Sequence, residues 1–413
     1  MNSDDKRHAS QKKHEELKAM AQDFLEAKRS IPTGLTAKKD IEENKERAMA
    51  HFQASEEDWN DWHWQIAHRI SDAASLGKII ELSQQEIDAL DSVGKKFRWG
   101  ISPYYATLMD PKDSRCPIRI GMLPSMEELA MTGIADFSGE DYTNPAPKVT
   151  RWYPDRLTIN VTNLCAAFCR HCLRRRHFGE VDTAAAEEDI KSALDYVREN
   201  EEIRDVLYTG GDPLTFSDEK IDWLLGELGK IDHVEIKRVG SKIPITVPQR
   251  ITEKLCKILK KHHPVFMNIQ VNHPRELSEE AAKACQRLAD AGIPMGNQSV
   301  LLKGINDDPN VFKLLNHELL KLRVRPYYIY HCQGTLGIAH LRTPVETGME
   351  ILEKLRGWTS GFAVPDYIIT PSVLGKTPLA PSYQVSEGPG YLVLRNWEGK
   401  LYRYDNPPHE KDD

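Results

Sequence analysis

Apolar positions recur at helical spacing near the start of the chain, where Leu17, Met20, Ala21, Phe24 and Leu25 fall on one helix face. Ser55, followed by Glu56, Glu57 and Asp58, has the form of an N-cap with an acidic first turn, and it opens a Trp-rich helix. Residues 1–95 are therefore predicted to be a helical N-terminal arm that packs on the core or on another subunit. Residues 96–150 are richer in Pro and Gly and predict connecting helices and loops. From residue 151 the pattern changes. Short β-rich runs at Leu157–Val161, Val206–Tyr208, Val234–Val239, Phe266–Val271, Gln298–Leu302 and Pro326–Tyr330 alternate with amphipathic stretches. Ile190, Ala193, Leu194 and Val197 mark one apolar stripe, Ile221, Leu224, Leu225 and Leu228 a second, and Leu314, Leu315 and Leu319 a third. Six strands alternating with helices predict an α/β fold, a parallel sheet closed or half-closed as a barrel over 151–345, working at the C-terminal ends of its strands. Residues 346–413 form a C-terminal segment whose end, Asn406 to Asp413, reads as a loose charged tail.

Composition narrows the function classes. The 413 residues carry a formal net charge of -7, which disfavours nucleic-acid binding. The basic run Arg174, Arg175, Arg176 and His177 is too short to reverse that, although a few arginines can hold a small anion. No apolar run approaches the roughly 20 residues of a membrane span. Met1 to Lys13 is polar, so no secretory signal is expected and the reducing cytoplasm is the expected compartment. Of seven cysteines, three crowd into eight residues, which suits a ligand cluster better than a disulfide framework.

That cluster is Cys165-Ala-Ala-Phe-Cys169-Arg-His-Cys172, spaced C-x3-C-x2-C directly after a predicted strand. A cubane iron–sulfur centre has four irons held by thiolates, so three cysteines leave one iron open, as a reactive centre requires. Three incidental buried thiols and a zinc site lacking its fourth ligand are the alternatives; zinc favours paired C-x2-C motifs, and no second pair exists here. Phe168 is placed to shield the centre from water and His171 to hydrogen-bond beside it. The second predicted strand ends in Gly210-Gly211-Asp212, where glycines permit close approach to the backbone. The cysteine spacing at the first barrel strand resembles the radical S-adenosylmethionine superfamily. That resemblance implies a [4Fe-4S] cluster on Cys165, Cys169 and Cys172, with S-adenosylmethionine chelated to the open iron and met by Gly210, Gly211 and Asp212.

From about Trp152 to Tyr404 the chain further resembles the lysine 2,3-aminomutase family. The resemblance rests on Tyr153-Pro-Asp-Arg156, Cys169-Arg-His-Cys172-Leu-Arg174, Tyr208-Thr-Gly-Gly-Asp-Pro-Leu214, Val247-Pro-Gln-Arg250, Asn272-His-Pro274, Gly296-Asn-Gln298, Arg323-Val-Arg-Pro-Tyr-Tyr-Ile-Tyr330 and Leu355-Arg-Gly-Trp-Thr-Ser-Gly361. It implies an isomerase that moves an α-amino group to the β carbon. Pyridoxal 5'-phosphate would be carried by Lys376 and held by Tyr153, Arg156 and Gln298, with Arg174 pairing with the substrate carboxylate. A planar guanidinium suits phosphate and carboxylate because its fork donates two parallel bonds. Membership would also bring a one-electron donor such as flavodoxin or ferredoxin, and a homo-oligomer.

Two departures bear on substrate. Lysine-specific members place aspartates against the distal ammonium, where this chain has Gln333 and Thr370. An ammonium buried opposite two neutral groups costs several kcal/mol, so lysine is disfavoured. Gln and Thr donate to a carboxylate or amide, with His331 as a further positive donor, which predicts glutamate as substrate. Lysine and a neutral amino acid are the alternatives, and Asp366, alternating onto the strand face of Thr370, is the group that would restore a negative charge. The second departure is at Asp308, which stands where a structural zinc ligand is expected. With no cysteine in the C-terminal tail, no structural zinc is predicted, and Cys116, Cys256, Cys285 and Cys332 are expected to be buried thiols.

Overall fold

The computed structural model describes residues 3–407. Its centre is a nine-stranded sheet: β1 (Val149–Thr150), β2 (Arg156–Thr162), β3 (Asp205–Gly210), β4 (Ile236–Ser241), β5 (Val265–Ile269), β6 (Met295–Leu301), β7 (Val324–His331), β8 (Asp366–Ile369) and β9 (Thr377–Leu379). The strands lie in chain order. β2 to β8 are all parallel, while β1 and β9 close the two margins antiparallel. β1 and β9 do not pair with each other, so the barrel is half-closed.

All six predicted strands are present, as β2 to β7. Helices Glu187–Glu199, Asp218–Leu228, Glu253–Lys261, Glu279–Asp290 and Pro309–Lys321 connect them. The three predicted stripes are the buried faces of the first, second and last of these helices. Parallel strands need such crossovers, and each helix lays its apolar stripe on the sheet. Sequence periodicity missed β8, a seventh parallel strand of only four residues. It also missed a separate antiparallel sheet, β10 (Gln384–Gly388), β11 (Tyr391–Arg395) and β12 (Leu401–Asp405), none of whose residues is fully buried.

One continuous apolar core runs from Ala37 in the arm to Tyr367 in β8, so the arm beyond its first two helices packs into the same interior as the barrel. Ser55 caps its helix through a reciprocal bond with Asp58, as the sequence predicts. The first stripe of the arm behaves differently: Leu17 and Met20 stay exposed. Phe24 reaches the barrel, edge-on to His317 and under the Lys313 ammonium. Of the predicted tail, residues 408–413 lie outside the described residues. Among the described residues no helix is long and apolar enough to cross a membrane.

Candidate active site

The loop after β2 carries Cys165, Cys169 and Cys172, and its shape is set by partners from three directions. The Phe168 amide donates to Gly100 O (3.0 Å), and the Arg170 amide to Gly121 O (2.9 Å). Arg69 donates to Cys165 O (2.6 Å). Phe168 is buried against Phe178, with the Arg69 and Arg98 guanidinium groups 5.4 and 4.7 Å from its ring centre. Burial pushes all three thiols up, and each also feels at least one other group of this loop: Cys165 is raised further by Asp212 and by both other thiols, and Cys169, at about 12, is eased by Lys242 but raised by Cys172. Among the described residues no group of three or more His, Cys, Asp or Glu side chains is arranged to hold a metal ion. A cubane bonds each cysteine to a different iron, so its thiolates stand farther apart than the ligands of one ion. The donor set suits the cluster, and the zinc alternative gains no support from it.

His171, between two of the cysteines, is buried, and burial together with Lys242 lowers its pKa to about 3, so it is neutral. Its Nε2 lies 3.3 Å from Asn272 Nδ2, while Nδ1 is a buried atom without a protein partner. A polar atom left so beside the cysteines fits a site that a further group completes.

Gly210 and Gly211 lie against this loop. The Gly211 amide donates to Thr162 O and the Asp212 amide to Leu164 O (2.7 Å). A Cβ on Gly211 would stand 2.6 Å from Asn163 C and 2.7 Å from Leu164 N, and Gly210 has φ +116°. Gly210 thus lies against the backbone of β2, and Gly211 against the start of the cysteine loop. Asp212, beside these glycines, is itself tied into the backbone. Its carboxylate accepts from the amides of Leu214, Lys242 and Ile243 at 3.1, 2.7 and 3.1 Å, fastening the end of β3 to the end of β4. Burial still pushes it up to about 6, against those bonds.

The three consecutive arginines after Cys172 each meet an acid from the segment 126–141. Arg175 and Arg170 share the fully buried Glu128; Arg170 approaches it at 2.9 and 2.6 Å. Arg176 pairs with Asp136 and Asp141 at 3.2 and 2.7 Å. Arg174, the expected carboxylate ligand, places Nε and Nη2 on Glu140 Oε1 at 2.8 and 2.6 Å. Burial resists ionisation of Glu140, but Arg174 and then His177 outweigh it and hold its carboxyl at about 2. Neither Glu128 nor Glu140 was recognised from sequence, because their partners lie 34 to 47 positions away. Arg174, Glu140, Gly210 and Gly211 line one cavity of about 490 Å³. A larger cavity, about 940 Å³, is lined by Phe168, Arg69, Lys95, Lys96 and Arg98 and shares Arg176 and Phe178 with the first.

Lys376, Tyr153 and Arg156 form a second group. The Lys376 amide donates to Tyr153 Oη (2.8 Å). Its ammonium lies 5.3 and 5.4 Å from the rings of Tyr153 and Tyr328, and Arg156 stacks 4.0 Å over Tyr153. Gly375, at φ +75°, lets the turn pass the Tyr153 ring, where a Cβ would meet its atoms at 3.1 Å. Gln298 on β6 pairs in register with Tyr328, which places it beside this group. Burial, then Arg156 and Arg238, lowers Lys376 to about 8. A desolvated amine ringed by aromatics, with an arginine at hand for phosphate, fits pyridoxal phosphate.

The distal residues divide. Gln333 Oε1 accepts from Ser138 Oγ (3.0 Å). Thr370 is half-buried just past β8 and shares no hydrogen bond with Gln333. Two expectations are corrected. His331 is not a positive donor: it is buried, its Nδ1 lies 2.7 Å from Tyr367 Oη, and burial followed by Arg342 lowers its pKa. Asp366 does not restore a charge beside Thr370, because it is exposed at the opposite end of β8, roughly 13 Å away along an extended strand. Asp308, the expected zinc position, instead caps the helix Pro309–Lys321 through the Asn310 amide (2.7 Å). Cys116, Cys256, Cys285 and Cys332 are buried free thiols, as predicted.

Comparison with known proteins identifies the family. The radical SAM superfamily model matches residues 159–315, and the model described as lysine-2,3-aminomutase matches residues 352–413. A glutamate 2,3-aminomutase of Clostridioides difficile is 48% identical over 395 residues, covering 95% of this chain and 94% of that protein. An L-lysine 2,3-aminomutase of Clostridium subterminale is 46% identical over 86% of each chain. One from Bacillus subtilis is 44% identical over 85% of this chain and 75% of its own. With half its residues shared over nearly its whole length, the chain belongs to the lysine 2,3-aminomutase family of radical S-adenosylmethionine enzymes.

Proposed function

We propose that this enzyme converts L-glutamate to β-glutamate by moving the α-amino group to the β carbon. As a member of its family it is an isomerase acting on a small amino acid, and the family's cofactors are a [4Fe-4S] cluster, S-adenosylmethionine and pyridoxal phosphate. When bound, these supply the radical that removes and returns a β hydrogen and the conjugated ring that accommodates the migrating nitrogen. The chain's own residues bind and orient. Cys165, Cys169 and Cys172 hold three irons, with Phe168 and its two arginines keeping water from that side. The backbone of Gly210 and Gly211 seats the cysteine loop. Lys376 carries the pyridoxal group, Tyr153 and Gln298 flank it, and Arg156 meets its phosphate. Arg174 takes the substrate α-carboxylate.

The observation that favours glutamate is the character of the distal group. Gln333, bonded to Ser138, is neutral, and the carboxylates on the neighbouring loop, Asp136 and Glu140, are already paired with Arg176 and Arg174. A lysine ammonium would be desolvated there with no counter-charge, at a cost of several kcal/mol. A carboxylate instead meets amide and hydroxyl donors. The division into arm (1–95), connecting segment (96–150), barrel (151–345) and C-terminal lysine segment (346–413) belongs to this reading. So do a cytoplasmic setting, a flavodoxin or ferredoxin as electron donor, and a homo-oligomer in which the arm is a contact.

Anaerobic turnover tests it. The protein is reconstituted with iron, sulfide and pyridoxal phosphate, given dithionite and S-adenosylmethionine, and supplied separately with glutamate, lysine, glutamine and alanine. β-Glutamate as the dominant product by mass spectrometry supports the assignment. β-Lysine, or the β isomer of a neutral amino acid, as the dominant product refutes it.

A further inference from the structure

One short loop of the connecting segment touches both ends of the expected substrate site. Ser138 donates to Gln333 Oε1, and two residues on, Glu140 accepts from Arg174. The same loop is fixed to the lysine-bearing turn: the Val373 amide donates to Ser138 O (3.3 Å), and a Cβ on Gly139 (φ +66°) would stand 3.0 Å from Ser372 Oγ. Its own shape is set by Asp136, whose carboxylate accepts from the amides of Glu140 and Asp141 at 3.1 and 3.0 Å. The loop is therefore a rigid piece, buried at Ser138 and Glu140, rather than a loose cover.

The bonding pattern has a direction. Among the described residues, Ser138 is the side-chain partner of Gln333, and it engages the amide oxygen. Among the described residues no side-chain hydrogen bond to the amide NH2 is seen. A free glutamine presents oxygen or nitrogen by a rotation of its terminal torsion, which is broad and nearly two-fold. With its oxygen engaged by the Ser138 hydroxyl, Gln333 has both N–H groups of its amide available to donate. At the other end Glu140 engages the Nε and Nη2 edge of Arg174 through one oxygen, leaving Nη1 for a carboxylate. Both ends of the site are thus set as donors by acceptors and hydroxyls of one loop.

We propose that Ser138 is a specificity-determining positioning residue: by holding the Gln333 amide in its donating orientation it selects amino acids whose distal group is a hydrogen-bond acceptor, a carboxylate or carboxamide, and disfavours those ending in an ammonium. Glu140 is its counterpart at the α-carboxylate end, fixing the Arg174 fork. This rests on the assignment of Gln333 and Arg174 to the two ends of the substrate.

The test uses the reconstituted holoenzyme in three variants, Ser138→Ala, Ser138→Thr and Gln333→Leu, each checked for iron and pyridoxal content and for an unchanged melting temperature. Losing one neutral hydrogen bond corresponds to about a three- to tenfold effect. For Ser138→Ala the expected result is a KM for glutamate raised by that factor, a much smaller change in kcat, and a fall in the preference for glutamate over lysine. Ser138→Thr, which keeps the hydroxyl, restores the KM. An unchanged KM and preference in Ser138→Ala, or a fall in kcat that is the same for every substrate, overturns the proposal. The Gln333→Leu variant separates the two levels. If it raises the KM for glutamate while Ser138→Ala does not, the role of Ser138 falls and Gln333 keeps its place. If it leaves the KM unaltered, Gln333 is not at the distal end and both fall.

Discussion

Replacing Glu128 by alanine probes what holds the cysteine loop in place. Glu128 is fully buried and its carboxylate is shared by Arg170, which lies between Cys169 and Cys172, and Arg175, three residues beyond Cys172. Removing it leaves two buried guanidinium groups without their anion. Breaking a buried pair on one side costs about 3–5 kcal/mol, because the remaining charge stays desolvated. A chain of 413 residues unfolds with an entropy of about 0.9 kcal/mol/K, at roughly 2.1 cal/mol/K per residue. The midpoint of thermal unfolding should therefore fall by about 3–6 °C. The pH dependence carries a second signature. Burial alone would raise the Glu128 carboxyl, yet Arg170 and Arg175 hold it below its ordinary 4.5. A carboxyl depressed in the folded state contributes stability that is present above 4.5 and lost as pH falls toward its folded value. The wild-type protein should show this acid limb, and Glu128→Ala should show a shallower one, because Glu140 and other depressed carboxyls remain. Differential scanning calorimetry between pH 3 and 8 reads both. A shift under about 1 °C at neutral pH, or an acid limb identical to the wild type, would show that the two arginines find other partners and that the loop does not depend on Glu128.

Three further outcomes follow from the same geometry. Lys376→Ala should abolish borohydride-stable attachment of pyridoxal phosphate; in the native protein the free-amine fraction of Lys376 rises through about pH 8, so attachment read by absorbance should quicken as pH increases across that value and be slow at pH 6. Gly211→Ala places a Cβ 2.6–2.7 Å from backbone atoms of Asn163 and Leu164 and should cut the iron retained after reconstitution at least several-fold; normal iron content in a folded variant would contradict the packing argument. Gln333→Asp supplies the distal site with a negative charge and should raise kcat/KM for lysine relative to glutamate by about tenfold or more, measured by competition between the two amino acids.

Much of the architecture was legible because it is periodic. Val206–Tyr208 and Ile221, Leu224, Leu225 and Leu228 announce a strand and the helix that covers it by spacing alone, and burial follows the same spacing. The cysteine triplet was legible from its own spacing, whereas Lys376, Tyr153 and Arg156 were legible only through the family resemblance; in the structure the Lys376 amide bonds to Tyr153 Oη and Arg156 stacks over that ring. What escaped has no local signature. β8 has four residues, one of them Asp366, too few to show a period. Glu128, Ser138 and Glu140 sit in a Gly-rich stretch that reads as loop, and their importance comes from arginines and an amide brought up by the fold from 34 to 195 positions away. His331 shows the converse. Its position near Gln333 suggested a cation, and only its burial against Tyr367 lowers its pKa and disfavours the charged form.

The linear order of the sheet, with the cysteine loop after its second strand and Lys376 just before its ninth, also has a meaning in time. Cys172 and Lys376 are 204 positions apart in the chain. At synthesis rates of about 5–20 residues per second, the thiolate half of the site leaves the ribosome roughly 10–40 s before the lysine half. During that interval the nascent protein holds the three cysteines but not the Lys376 amide that bonds to Tyr153. Strand order thus makes the Lys376 turn a late part to arrive, after every strand from β1 to β8 has been synthesised.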